Sequence, residues 1–175
     1  MATSGIDVSE WQGVIDWAKA KSQIDFALIR AGYGDTLSYP AQVDYQYERN
    51  YSECKRLGIP LGIYFYCYAK TTAEAEREAD CCLALLKGKR FEFPIYYDVE
   101  EMSVFKTGKT GEICKAFIDK LERLAIGWAS IHTGQRWDIS RAISKTKRQW
   151  LSQNTVISST ITVSMESGRT RQAGR

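Results

Sequence analysis

The chain has 175 residues, 44% of them hydrophobic, which is ample for one buried core and short for two domains of ordinary size. No stretch approaches the roughly 18 apolar residues of a membrane-spanning helix, and the opening Met1-Ala2-Thr3-Ser4-Gly5-Ile6-Asp7 lacks the basic and apolar segments of an export signal, so neither a membrane span nor a signal peptide is expected. The net charge of +3 is unevenly divided: residues 1–124 hold 16 Lys/Arg against 19 Asp/Glu, and residues 125–175 hold 8 against 2, or −3 and +6.

Gly5-Ile6-Asp7-Val8-Ser9 reads as a short strand ending in polar residues, and Ile15 to Lys21 as a helix entered through Asp16 as N-cap. Phe26-Ala27-Leu28-Ile29-Arg30-Ala31 is the next strand, followed by the loop Gly32-Tyr33-Gly34-Asp35. Between Asp44 and Leu57 the residues Tyr47, Tyr51 and Cys54 recur at helical spacing, and Gly58 supplies a C-terminal stop. Leu61 to Tyr68 is a third strand. Thr72 to Lys87 follows as a helix with Thr72 as cap and Ala75, Ala79, Cys82 and Leu86 on one face. Ile95 to Val99 is the fourth strand, and Thr110 to Leu124 a helix that turns Ile113, Phe117, Ile118 and Leu121 inward. Alternating strands and helices predict an α/β chain with parallel strands, and either a (β/α) barrel or an open doubly wound sheet fits. Both place ligand sites at the C-terminal ends of the strands, where Asp7, Gly32-Tyr33-Gly34, Tyr66, Asp98 and Glu100 all fall.

The run Phe93-Pro94-Ile95-Tyr96-Tyr97-Asp98-Val99-Glu100 ends in two carboxylates one residue apart. Successive side chains of a strand point to opposite faces, so Asp98 and Glu100 share a face and Val99 takes the other. At an open strand end such a pair is a solvated terminus or an ion-pair partner. In a pocket, repulsion and desolvation raise one pKa above the other and leave a proton donor beside an anion, the arrangement used to cleave glycosidic bonds. Arg30, inside an apolar strand, needs a buried partner, either an acid of the site or a structural ion pair. Five cysteines are an odd number without metal-type spacing, so buried free thiols are expected, and His132 is the sole histidine. Neither a metal nor a histidine-based nucleophile is expected, and no phosphate-binding or dinucleotide glycine motif is present. The basic tail has three tryptophans among its charges, and no nucleic-acid partner is expected.

Several ordered motifs together resemble the glycoside hydrolase family 25 lysozymes, N-acetylmuramidases of phages, bacteria and some fungi. They are Gly5-Ile6-Asp7-Val8-Ser9 with Trp11-Gln12-Gly13 and Ile15-Asp16-Trp17, Ile29-Arg30-Ala31-Gly32-Tyr33-Gly34, Asp44 with Asn50 ahead of Gly58, Gly62-Ile63-Tyr64-Phe65-Tyr66, and Tyr97-Asp98-Val99-Glu100. The resemblance implies a modified TIM-like (β/α) barrel that hydrolyses the β-1,4 bond between N-acetylmuramic acid and N-acetylglucosamine in bacterial peptidoglycan. It further implies a monomer without cofactor that acts on the cell wall, outside the cell or, for a phage endolysin, from the cytoplasm upon release. Carried over by position, Glu100 matches the general acid, whose pKa its neighbours must hold up. Asp98 matches a second carboxylate that either orients the substrate's N-acetyl group or acts directly at the anomeric carbon or a water. Asp7 matches a third acid of the site. Tyr33, Tyr64, Tyr66 and Tyr97, with Trp11, would form the sugar-binding wall, their flat faces against pyranose rings. Without the resemblance, Asp7 reads as a strand-end cap, alternate tyrosines as core, and Trp17 as packing.

The expected organisation is a catalytic domain over residues 1–124 and a divergent C-terminal part over 125–175, with completion of the barrel left open. Trp128-Ala129-Ser130-Ile131-His132-Thr133 and Trp150-Leu151-Ser152-Gln153 echo two strands of the family pattern, while its last strand and closing acid have no counterpart. From Asn154 onward the chain is rich in Ser, Thr and Arg, as an out-of-frame reading of the 3′ end would be. A barrel missing strands leaves apolar edges unpaired. The alternative to a lysozyme is therefore a catalytically impaired fragment or a non-hydrolytic wall-binding module. The expected outcome is marginal stability and cell-wall lysis weaker than that of full-length family members, checked by clearing of a cell-wall suspension at equal protein concentration.

Overall fold

Four runs rich in β-branched and aromatic residues become strands: β1 (Ala2–Val8), β2 (Phe26–Tyr33), β3 (Leu61–Tyr66) and β4 (Ile95–Val99). Between them lie α1 (Trp17–Ala20), α2 (Tyr47–Leu57) and α3 (Thr72–Leu86). After β4 come α4 (Met102–Phe105) and α5 (Thr110–Arg123), then β5 (Ala129–Thr133) and β6 (Ile161–Ser164). The structure is a computed structural model that describes residues 2–124, 129–133 and 161–164, with side chains described for 4–124.

The strands form one sheet in the order β5-β4-β3-β2-β1-β6. Pairs from β1 to β5 are parallel, and β6 runs antiparallel along the outer edge of β1, from Ala2 opposite Ser164 to Gly5 opposite Ile161. Parallel neighbours that follow chain order, joined by right-handed crossovers, carry all their helices on one face, whereas a doubly wound sheet reverses order at a central strand. The curled sheet is therefore a half-barrel of the TIM-like kind, and the doubly wound alternative is excluded. The Trp128–Thr133 echo yields β5, whose Ala129 to Thr133 lie opposite Ile95 to Val99, while the Trp150–Gln153 echo lies outside the described residues.

Period-two alternation divides the residues between two faces. Ala27, Ile29, Leu61, Ile63, Phe65, Ile95, Tyr97 and Val99 face the helices and pack with Tyr47, Cys54, Ala75, Ala79, Cys82, Ile113, Phe117 and Leu121. Phe26, Leu28 and Tyr96 form a separate cluster with Tyr64 and Phe93 on the other face, the inside of the half-barrel, where the Phe26 and Phe93 rings stack with centroids 4.6 Å apart. Trp17 is a packing residue, its Nε1 donating to Asn50 Oδ1 at 3.0 Å. All five cysteines are buried and unpaired.

Element ends follow local capping chemistry. Asp16 caps α1 by accepting from the Lys19 N–H, and Gly58 closes α2 in the left-handed region at φ 66°. The cap of α3 is Thr71, one residue before the expected Thr72, because only Thr71 has Glu74 three positions on to complete a reciprocal capping box. β3 ends at Tyr66, so Tyr68 belongs to the loop beyond it, and α4 has no counterpart in the sequence reading.

Glycine is required where strand and connecting segment nearly touch. A Cβ at Gly62 would stand 2.7 Å from the Pro94 carbonyl oxygen and 2.8 Å from Phe93 Cβ, neither able to swing aside. By contrast, a Cβ at Gly111 in α5 meets nothing within 4 Å. Gly62→Ala is expected to cost about 1–3 kcal/mol through overpacking, and Gly111→Ala to stabilise by about 0.5–1 kcal/mol through helix propensity, both read from urea denaturation midpoints.

Candidate active site

At the C-terminal end of β4 alternation carries Asp98 to the inner face, where it lies opposite Tyr66 of β3, and Tyr64 lies opposite Tyr96 one step below. Asp98 is 8% exposed and its Oδ1 has no hydrogen-bond partner. Burial, then the charges of Glu100 and Asp7, push its carboxyl up to about 8 against the opposing pull of Arg30. The structure thus gathers the three expected acids, with Asp98 buried and both Asp7 and Glu100 open to solvent. A neutral carboxyl beside two acids at neutral pH is the arrangement general acid–base chemistry uses. The burial that raises a carboxyl falls on Asp98, two residues before Glu100 and deeper in the sheet.

The aromatic residues divide into a site group and an outlier. The Tyr64 hydroxyl lies among Arg30, Asp7, Ser9 and Asp98, and burial lifts it well above its ordinary pKa. The Tyr66 hydroxyl, raised by burial and by Glu101, stands near Glu100 and Asp98 as well. Tyr68 meets Tyr33 edge-on at 5.7 Å and Tyr66 at 5.3 Å, and the Arg30 guanidinium lies 5.5 Å over the Tyr33 ring. Trp11, 81% exposed, projects from a single 3₁₀ turn (Glu10–Gln12) that follows β1. Ser9 and Gln12 pin that turn by a reciprocal capping box. Tyr97 does not join this wall. As the residue before Asp98 it must face the helices, where its ring stacks on Phe117 at 3.7 Å and its hydroxyl donates to Glu78 at 2.5 Å.

Arg30 has partners that the sequence left open. Its Nε donates to Asp44 Oδ2 at 2.8 Å and its Nη2 to Glu10 Oε1 at 2.6 Å. Asp44 also accepts from the backbone N–H groups of Glu10 and Gln46, both at 2.9 Å. The brace fastens the loop bearing Trp11 to the loop after β2, and a recess of about 550 Å³ lined by Glu10, Pro40, Val43, Asp44, Tyr45 and Glu48 flanks it. Sequence reasoning missed Tyr68, Glu10 and Glu101. Tyr68 had a signal, since Tyr64, Tyr66 and Tyr68 continue one alternation. Among the described residues no group of three His, Cys, Asp or Glu is arranged to hold a metal ion, and no helix is long and apolar enough to cross a membrane.

The family model described as glycosyl hydrolases family 25 matches residues 6–167, past the compositional boundary at 124. Among curated proteins, the uncharacterized protein YegX of Escherichia coli strain K12 is 33% identical over 103 residues, 55% of this chain and 35% of that protein. Lysozyme M1 of Streptomyces globisporus is 38% identical over 63 residues, 35% of this chain and 20% of that protein. The chain spans about a third or less of the length of these relatives. Among solved structures, the modular autolysin LytC of Streptococcus pneumoniae aligns at TM-score 0.65 and 30% identity, over 75% of this chain and 32% of that one. The catalytic domain of endolysin ply40 from bacteriophage P40 of Listeria monocytogenes shares the fold at TM-score 0.66 and 22% identity, over 76% of this chain and 64% of that one.

Because Asp98 holds its proton more tightly when folded, its contribution to stability is complete below the ordinary carboxylate pKa and is lost as pH rises toward about 8. Asp98→Asn removes that loss. The variant is expected to gain on the native chain from acidic to mildly alkaline pH, by on the order of a few kcal/mol, read as the difference between their urea midpoints across that range.

Proposed function

The chain belongs to glycosyl hydrolases family 25, and from that premise we propose that it is a lysozyme-type glycosidase that hydrolyses the β-1,4 bond between N-acetylmuramic acid and N-acetylglucosamine in bacterial peptidoglycan. The observation that carries the proposal is the buried Asp98, with an unpartnered Oδ1, set beside Glu100 and Asp7 on the inner face of the half-barrel. Oδ1 is an acceptor for the amide N–H of an N-acetyl group, and holding that group turns its carbonyl oxygen toward the anomeric carbon. Glu100, at the open end of the strand, gives the departing sugar oxygen the proton that the adjoining carboxyls share at neutral pH. Water then adds its hydroxyl to the anomeric carbon and returns its proton to Glu100, so the enzyme ends as it began. Asp7 faces the same space from β1 and adjusts the charge around Asp98.

Tyr33, Tyr64 and Tyr66 serve as the sugar-binding wall, with Tyr68 added to the set and Trp11 at the rim. Tyr97 has no part in that wall. The reaction needs neither metal nor cofactor, because proton transfer and orientation come from side chains. The substrate places the action at the bacterial cell wall.

In a turbidity assay on purified peptidoglycan the native chain is expected to clear the suspension, and Glu100→Gln to lose about 100-fold or more of that rate while still sedimenting with the wall. Equal clearance by both would remove Glu100 from the proposal. Binding without clearance by the native chain would favour a wall-binding module.

A further inference from the structure

Behind the acid strand, on the helix side of the sheet, lies a carboxylate for which the reaction above has no role. Glu78 of α3 is 4% exposed and sits on the helix face that carries Ala75, Ala79 and Cys82. Its two oxygens hold two different segments of the site. Oε2 accepts from the Tyr97 hydroxyl at 2.5 Å, and Tyr97 immediately precedes Asp98 in β4. Oε1 accepts from the Tyr68 N–H at 3.0 Å, the Ala69 N–H adds to it, and Tyr68 carries the ring that meets Tyr33 and Tyr66. Between these attachments the Cys67 N–H donates to the Asp98 carbonyl at 2.8 Å. Among the described residues no Lys, Arg or His forms an ion pair with Glu78, so its burial is compensated by donors that all belong to the two site-bearing segments. An apolar side chain would fill that helix position without the cost of burying a carboxylate.

We propose that Glu78 is a positioning residue that fixes the spacing between the aromatic wall leaving β3 and the carboxylate strand β4, so that stacking of the sugar and alignment of its reacting bond are set together. The proposal rests on the function given above. The groups facing Glu78 are Tyr97 from β4, Cys67 at the exit of β3 and Glu74 from its own helix, with Cys114 of α5 facing Cys67 and Phe117 of α5 backing Tyr97. Burial, more than any of these neighbours, pushes the Glu78 carboxyl up to about 7. Above that pH it only accepts. Below it one oxygen carries a proton, so either the Tyr68 N–H loses its acceptor or the Tyr97 hydroxyl must turn round, and the clasp loosens.

The test uses the full chain with soluble peptidoglycan fragments, measuring kcat and KM across neutrality for the native protein, Glu78→Gln and Tyr97→Phe. Native KM is expected to rise as pH falls through about 7. Glu78→Gln should remove that inflection and lower kcat/KM about tenfold at mildly alkaline pH, the scale of a small misplacement of reacting groups. Tyr97→Phe keeps the ring on Phe117 and the Tyr68 contact, so it should lower kcat severalfold with KM near native. A substrate-free reading is the near-UV circular dichroism of the tyrosines. In an Asp98→Asn background, where that carboxyl cannot titrate, a transition near pH 7 should remain and should vanish when Glu78→Gln is added. Native kinetics and an unchanged pH profile in a folded Glu78→Gln, or lowered thermal stability with unchanged kcat in Tyr97→Phe, would overturn the proposal. If the native chain cleaves no peptidoglycan, the functional reading fails by itself. The dichroism then decides on Glu78: loss of the transition near pH 7 when Glu78→Gln is added supports the clasp, and its persistence there overturns it.

Discussion

Strand β4 must satisfy two environments with alternate residues of one five-residue run. All of Ile95 to Val99 are buried, so no position is left over to face water. Ile95, Tyr97 and Val99 serve the helix layer, and Tyr96 and Asp98 serve the interior of the half-barrel. The neighbouring strands follow the same division: Arg30 and Tyr64 reach the interior while Ile29, Ile63 and Phe65 close the core behind them. Polar groups that must meet a ligand or solvent can therefore stand only on the inner face and at the strand ends, because the outer face is sealed by α2, α3 and α5. A one-residue slip of β4 would send Asp98 into the helices and Tyr97 into the site.

Charge on that inner face is distributed so that Asp98 is left short of compensation. Among the described residues Arg30 is the cation that pulls against its rise, yet the Arg30 Nε and Nη2 are engaged by Asp44 and Glu10. A rise from 3.8 to about 8 corresponds to on the order of 5 kcal/mol between the two protonation states. An ion pair at a solvated surface contributes on the order of 1 kcal/mol or less, so a single exposed neighbour such as Glu100 or Asp7 cannot produce a rise of that size. Burial sets it, and the neighbours adjust it. The Arg30 brace meanwhile holds the two loops that frame the opening, so one guanidinium contributes to both the shape and the potential of the site.

Much of this was legible because the controlling interactions are local. Apolar runs, the Asp16 and Gly58 caps, and the shared parity of Asp98 and Glu100 all depend on residues a few positions apart. Thr71 rather than Thr72 was also within reach, since only Thr71 stands three residues before Glu74. The placement of Tyr97 was decidable by the parity argument that located Asp98, and the motif resemblance masked it. Other features needed the fold. Arg30 pairs with residues 14 and 20 positions away on different loops, and Glu78 meets Tyr97 at a separation of 19. Its only trace in the sequence is a carboxylate on the apolar face of α3. The antiparallel addition of β6 to β1 joins residues more than 150 positions apart, and no spacing rule reaches that far.

The five buried thiols bear on how such a chain fares outside a reducing compartment. Burial lifts the thiols of Cys54, Cys67, Cys81, Cys82 and Cys114 above their ordinary range, so the nucleophilic thiolate is scarce and access to it is closed. While folded, the five thiols are shielded from oxidants and alkylating agents although no disulfide protects them. Unfolding exposes every thiol at once. An odd number cannot pair off within one chain, so oxidation of the unfolded state leaves a sulfur free to couple to a second molecule. Packing of the helix layer thereby governs the redox lifetime of the chain as well as its stability.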